Sequence, residues 1–288
     1  MKKSGLTLIE LTFVLFILTL AAHLGTRQLA TARAARLRAA ADRQLDEIAD
    51  AVYCEGQGEA SGFLSDMGRL PLATYAPGGA SPSLAELYVR PEGVGDFMAR
   101  PAKLANLAEG APDAIADESV LVPCGWGGPY IRLPQGATLL RDPWGNPMEN
   151  GGADVAARLL AADMSSPATT NTPIAAIRHF GSDGTPDGER PPASGDAMDS
   201  TRKFAFGSAW LLLDFEPGVV ARVMWYAPLG DKITGGVAYP EPATPSQLRI
   251  EGIPPGRRIV CIHFTDGTSR VMSVQLRAGS GAVLPITH

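Results

Sequence analysis

The sequence predicts an α+β protein: a long N-terminal transmembrane helix packed on a small β-domain, followed by a C-terminal β-sandwich. Three observations carry this prediction. The run from Leu6 to Leu24 is almost wholly apolar, all 24 prolines lie at or beyond Pro71, and the chain after Ser200 breaks into short strand patterns separated by turn signals. The corresponding units are a leader over residues 1–5, a helix over 6–54, a globular domain over 55–200 and a β-sandwich over 201–288.

The helix comes first. At ~1.5 Å per residue, the Leu6–Leu24 run is long enough to cross a hydrocarbon core of about 30 Å. Glu10 interrupts it, and a carboxylate inside a membrane segment costs on the order of 2.5 kcal/mol or more unless it finds a partner. Cutting the chain after Gly5 would create such a partner, because the new α-ammonium of Leu6 in one helix could meet Glu10 of a parallel, axially staggered neighbour. An ordinary secretory signal or a plain anchor is the alternative. Leu20-Ala21-Ala22 is only a weak match to a signal-peptidase site, and neither alternative accounts for Glu10.

A short Lys-bearing leader ending in Gly5, then Leu6-Thr-Leu-Ile-Glu10-Leu and an apolar helix, resembles the class III signal of type IV pilins and of the pseudopilins of type II secretion. The resemblance implies cleavage by prepilin peptidase between Gly5 and Leu6, N-methylation of the new terminus, and a role for Glu10 in assembly. It also implies a single-pass inner-membrane protein with its globular part in the periplasm, whose partners are sister subunits, met through the helix, and the membrane assembly platform. Leu6 stands where the family usually has Phe, a departure that bears on methylation more than on cleavage.

Beyond the membrane segment, Leu37, Ala41, Leu45, Ile48 and Val52 draw one helical stripe, expected to pack on the globular domain. Arg27, Arg33, Arg36, Arg38 and Arg43 lie on the other faces, with Asp42, Asp46, Glu47 and Asp50. That bias runs against the positive-inside tendency for an N-in chain. It fits either a solvated face with pairs such as Arg38–Asp42 and Arg43–Glu47, or arginines that meet acids of neighbouring subunits.

Residues 56–62 read as a flexible link, and Phe63 to Asn150 as loop-rich, with a short helix over Ser83–Val89. Within this segment Trp126-Gly-Gly-Pro-Tyr130 and Asp142-Pro-Trp-Gly-Asn146 are built for tight turns anchored by rings, with Asp142 placed to accept from backbone amides ahead of it. In this order the two segments resemble the major pseudopilin of type II secretion. The resemblance covers about the first 200 residues, interrupted by insertions.

After a short strand ending in Ile177-Arg-His-Phe180, the loop carries Asp183, Asp187, Glu189, Asp196 and Asp199 around a single Arg190. Hard oxygen ligands on a Gly-rich loop suit Ca²⁺, although a solvated acidic loop has the same composition. The pseudopilin resemblance implies a calcium site here, with Asp183 and Asp196 at the matching positions, and the acidic composition of the loop adds Asp187 and Asp199 as candidate ligands. The loop is longer than the family's pattern and includes Pro191-Pro192.

Strands are expected over Phe204–Phe215, Val219–Ala227, Gln247–Glu251, Arg258–Phe264, Arg270–Leu276 and Ala282–Ile286, with Asp266-Gly267 turning a hairpin. The run Leu248 to Val260 weakly resembles carboxypeptidase-regulatory-like or transthyretin-like domains, which are structural or binding modules.

No catalytic motif stands out. The 4 histidines are scattered, and there is no His-Glu-x-x-His, no Gly-x-Ser-x-Gly and no phosphate loop, so the sequence argues against an enzyme. A net charge of −5 gives no global attraction to nucleic acid. Of the 3 cysteines, Cys54 and Cys124 could meet where the helix packs on the domain, whereas Cys261 reads as a small buried hydrophobe and His263 as a packed or surface residue. The resemblances together imply a structural subunit of a type II secretion pseudopilus or related type IV pilus-like filament. The rival reading is a minor pilin whose sandwich binds a surface or secreted substrate, which would differ in copy number per filament.

Overall fold

The computed structural model describes residues 8–53, 62–151, 158–180, 200–204, 208–240 and 246–287. Gly5, Leu6, Cys54, Asp183, Asp187, Asp196 and Asp199 lie outside the described residues.

A chain segment without proline and with a single glycine, Gly25, forms one helix, α1, over Leu8–Tyr53. At 46 residues it is ~70 Å long. Its threonines do not leave hydroxyls stranded: Thr19, Thr26 and Thr31 donate to the carbonyls of Phe16, His23 and Arg27 one turn back.

The rest is β-rich. After the short helix α2 (Phe63–Met67) come a ribbon of β1 (Thr74–Tyr75) and β2 (Pro82–Ser83), and a 3₁₀ turn at Ala85–Leu87 inside the expected helical stretch. An antiparallel pair follows, β3 (Met98–Ala102) with β4 (Asp117–Cys124). β5 (Leu159–Leu160), β6 (Ala176–His179) and β7 (Ser200–Lys203) then make a three-stranded antiparallel sheet.

The C-terminal part holds β8 (Ala209–Phe215), β9 (Val220–Leu229), β10 (Lys232–Ala238), β11 (Gln247–Ile253), β12 (Gly256–Phe264), β13 (Ser269–Leu276) and β14 (Gly281–Ile286). They form a four-stranded sheet in the order β10-β9-β12-β13 and a three-stranded sheet in the order β11-β8-β14, with β14 parallel to β8. In β8 the alternation Ala209, Leu211, Leu213, Phe215 points one face inward, against Val223, Val260, Ile262 and Val274 of the other sheet. The two sheets therefore share one apolar layer as a sandwich.

Two pairings differ from the sequence expectation. β10 carries Gly235-Gly236, which interrupts a strand pattern, yet a Cβ on Gly235 would stand 2.2 Å from the Trp225 carbonyl, so close backbone approach accounts for the glycine. β3 and β4 contain Pro101 and Pro123, and in a two-stranded ribbon both strands are edges, the place where a strand tolerates proline.

Three apolar clusters hold these parts. One joins Leu45, Ile48, Ala49 and Val52 of α1 to Phe63, Leu64, Leu84, Leu87 and Ile177. The second fills the sandwich. The third lies on the other face of the four-stranded sheet, where Met224, Tyr226, Ile259 and Cys261 meet Ile115, Val120, Val122 and Cys124. The sheet is thus covered on both sides.

Candidate membrane anchor and helix-to-domain junction

Side-chain exposure divides α1 in two. From Leu11 to Leu24 the large apolar side chains project outward on all sides, with Phe13 64% and Phe16 63% exposed. A helix apolar all round needs lipid or other helices against it, and α1 is long and apolar enough to cross a membrane. Glu10 falls in its first turn.

The second half is docked. Along the expected stripe Leu37 is half-buried, and Ala41, Leu45, Ile48 and Val52 are buried, joined by Ala49. Each buried position recurs after three or four residues, so a single face meets the domain.

Polar contacts fix the azimuth of that face. Gln44 Nε2 donates to the Arg141 carbonyl at 2.7 Å, Asp46 lies 3.4 Å from Arg202, and Asp42 lies 3.7 Å from His179 Nε2. Tyr53 stacks edge-on against Phe204. His179 is buried against the Trp144 ring, with centroids 5.5 Å apart, and neither ring nitrogen has a hydrogen-bond partner among the described residues. Burial lowers its pKa below the ordinary 6.5, outweighing the opposing pull of Asp42, so the ring is neutral at neutral pH and its approach to Asp42 is not an ion pair.

The two turn segments singled out in the sequence lie under this junction and under α2. Asp142 does accept from the amides ahead of it, Trp144 at 3.0 Å and Asn146 at 2.8 Å, on one oxygen. Its other oxygen receives the Asn146 side chain and Arg158, both at 3.1 Å. Arg158 is itself buried, with its guanidinium 5.0 Å from the centre of the Phe180 ring. In the other segment the Trp126 indole donates to the Glu86 carbonyl, and the Tyr130 hydroxyl donates to Asp66 while accepting from the Gly127 amide. A Cβ on Gly127 would sit 2.4 Å from the Asp66 carboxylate, and one on Gly128 would strike the Trp126 ring, which explains the paired glycines.

Several buried charges had no sequence signal, because their partners are remote. Glu86 takes a bidentate contact from Arg69 and a bond from the Leu72 amide. Arg258 is fully buried and donates to the carbonyls of Pro254, Pro255, Arg257, Leu64 and Ser65, tying the sandwich to α2. Burial lowers its pKa to about 9.

Cys124 is a free, buried thiol near the Asp231 carbonyl, and Cys54, which the sequence allowed as its partner, lies outside the described residues. The candidate calcium ligands Asp183, Asp187, Asp196 and Asp199 fall outside the described residues, as do Gly5 and Leu6. No protein-family model matches the chain, and no curated protein or solved structure matches it.

Proposed function

We propose that this protein is a structural subunit of a pilus-like filament of the type II secretion or type IV class, cleaved by prepilin peptidase after Gly5 and held in the inner membrane by α1 before assembly. The observation that carries the reading is the division of α1: an N-terminal half bare and apolar on every side, continuous with a C-terminal half docked by one stripe onto a β-rich domain. A rod of this kind can leave lipid for a bundle of sister helices without refolding the domain.

The leader residues and the carboxylate of Glu10 add to this reading. Inside a membrane Glu10 is a cost that a neighbour's new amine offsets, so burial itself favours association. The acidic loop from Asp183 to Asp199 would hold Ca²⁺ on carboxylate oxygens.

Intact mass and N-terminal sequencing of the mature chain test the proposal. A start at Leu6 is expected; a start near Ala22 or an uncut Met1 would remove its basis. In the same preparation Glu10→Ala should insert into membrane normally but lose crosslinks between subunits, whereas undiminished crosslinking would exclude the assembly role.

A further inference from the structure

Outside the junction, one group of side chains has no role in the reading above. Cys261 and His263 stand two residues apart on β12 and so project from the same face, toward Asp117 at the start of β4. The Cys261 sulfur lies 3.5 Å from His263 Nε2, and that nitrogen lies 4.0 Å from Asp117 Oδ2. All three donor atoms fall within 4.8 Å of one another.

These spacings fit one cation. Zinc at ~2.3 Å from sulfur and ~2.0 Å from nitrogen in tetrahedral geometry holds those two donors about 3.5 Å apart, and a carboxylate oxygen about 3.3 Å from the nitrogen. The thiol–imidazole pair already has its distance. Asp117, about a fifth exposed, needs to close by less than an ångström on His263 Nε2, and its side chain turns toward the Cys261 sulfur, which lies within 4.8 Å of it, to complete the set.

The carboxylate is also oriented. Asp117 Oδ1 accepts from the Ser119 amide at 3.0 Å and the Ser119 hydroxyl at 2.6 Å, which leaves Oδ2 turned to His263. Such support behind a ligand is what a metal site requires. The Tyr226 hydroxyl, on the same face, is committed to the Ile115 carbonyl and is not a ligand.

We infer that Asp117, Cys261 and His263 form a Zn²⁺ site that joins β4 to β12 and leaves a fourth position for water. A mixed sulfur, nitrogen and oxygen set selects zinc over the hard cations Ca²⁺ and Mg²⁺, and the carboxylate disfavours Cu⁺. His263 and Asp117 are both partly exposed, which gives the ion a way in.

Arg222 faces His263 across the strand pair, and its charge opposes the ion. The same charge favours neutral imidazole and thiolate, the forms that bind metal. Without a cation, burial and then Asp117 push the Cys261 thiol up to about 11. Thiolate and carboxylate together neutralise a divalent ion.

The test uses the full chain, purified in detergent, stripped with chelator and shown to be folded by circular dichroism. Added Co²⁺ should produce a thiolate-to-cobalt charge-transfer band that Zn²⁺ abolishes. The band should vanish in Cys261→Ala and persist in Cys54→Ala and Cys124→Ala. His263→Gln, at a partly exposed position, should weaken Zn²⁺ binding at least tenfold, and Ser119→Ala about tenfold through loss of carboxylate orientation. Absence of the band in the folded parent chain, or a band that survives Cys261→Ala, would overturn the site. If Cys261→Ala does not fold, the parent band and the His263→Gln titration decide, and unchanged affinity in His263→Gln would count against it.

Discussion

At the scale of single residues, the buried pair of Asp142 and Arg158 is the most exposed to mutation. Asp142→Asn keeps the turn's acceptor on one side but faces Arg158 with an amide, leaving a guanidinium buried without its counter-charge. The expected loss is about 3–5 kcal/mol, read as a lower denaturant midpoint, and Arg158→Met added to it should restore much of the loss. An unchanged midpoint would mean that the stack on Phe180 alone holds Arg158. His179 makes a different prediction, in pH. Its folded-state pKa is lowered from 6.5, so the folded state binds fewer protons than the unfolded chain as pH falls past that value. Stability from the junction is fully present above 6.5 and is lost as pH drops through the folded value. Melting curves across this range should show the loss in the parent chain and a flatter profile in His179→Phe; parallel profiles would refute the assignment, with His263 titrating equally in both.

At the scale of elements, legibility followed the range of the interaction. The stripe Leu37 to Val52 was readable because a helix brings back the same face every three to four residues, and the sandwich strands were readable because inward and outward positions alternate. Asp142 was readable because its acceptors' partners lie within four residues. β10 was not, since Gly235-Gly236 imitates a break, nor were β3 and β4, whose prolines imitate loop. The bonds of Arg258 to α2 span 193 and 194 residues, and the meeting of Asp117 with Cys261 and His263 likewise depends on how β4 lies over the sheet; no local pattern encodes either. The acidic loop carries its own prediction. Calcium bound only by the folded state stabilises by ~2.7 kcal/mol when present at a hundred times its Kd. If the segment from Asp183 to Asp199 holds Ca²⁺ as proposed, the full chain in detergent should melt higher in Ca²⁺ than in a calcium-selective chelator, with most of the difference gone in Asp183→Ala. Coincident curves for the parent chain would reduce the loop to solvated carboxylates.

At the scale of the whole molecule, the four-stranded sheet is an inner layer. One face belongs to the sandwich and the other to β3 and β4, while Arg258, at the start of β12, ties one end of the sheet to α2, so the C-terminal strands and the preceding domain are joined by a common apolar cluster. Force or torque applied to the sandwich is thereby passed to the domain, and from the domain to α1 through the buried stripe. An unbroken helix is also a screw, and it converts residue count into angular phase. The domain is clamped at one azimuth by Gln44, Ala41 and Leu45, so the direction in which every side chain of the apolar half points, relative to the domain, is set by the number of residues between them. One alanine inserted between Ala34 and Ala35 would turn the apolar half by ~100° while adding only ~1.5 Å, whereas seven residues would return it to within about 20° and add ~10 Å. If neighbouring subunits meet in a fixed register, the single insertion should abolish crosslinking through α1 with the domain still folded, and the seven-residue insertion should retain more of it. Equal crosslinking in both would show that the helices associate without regard to phase.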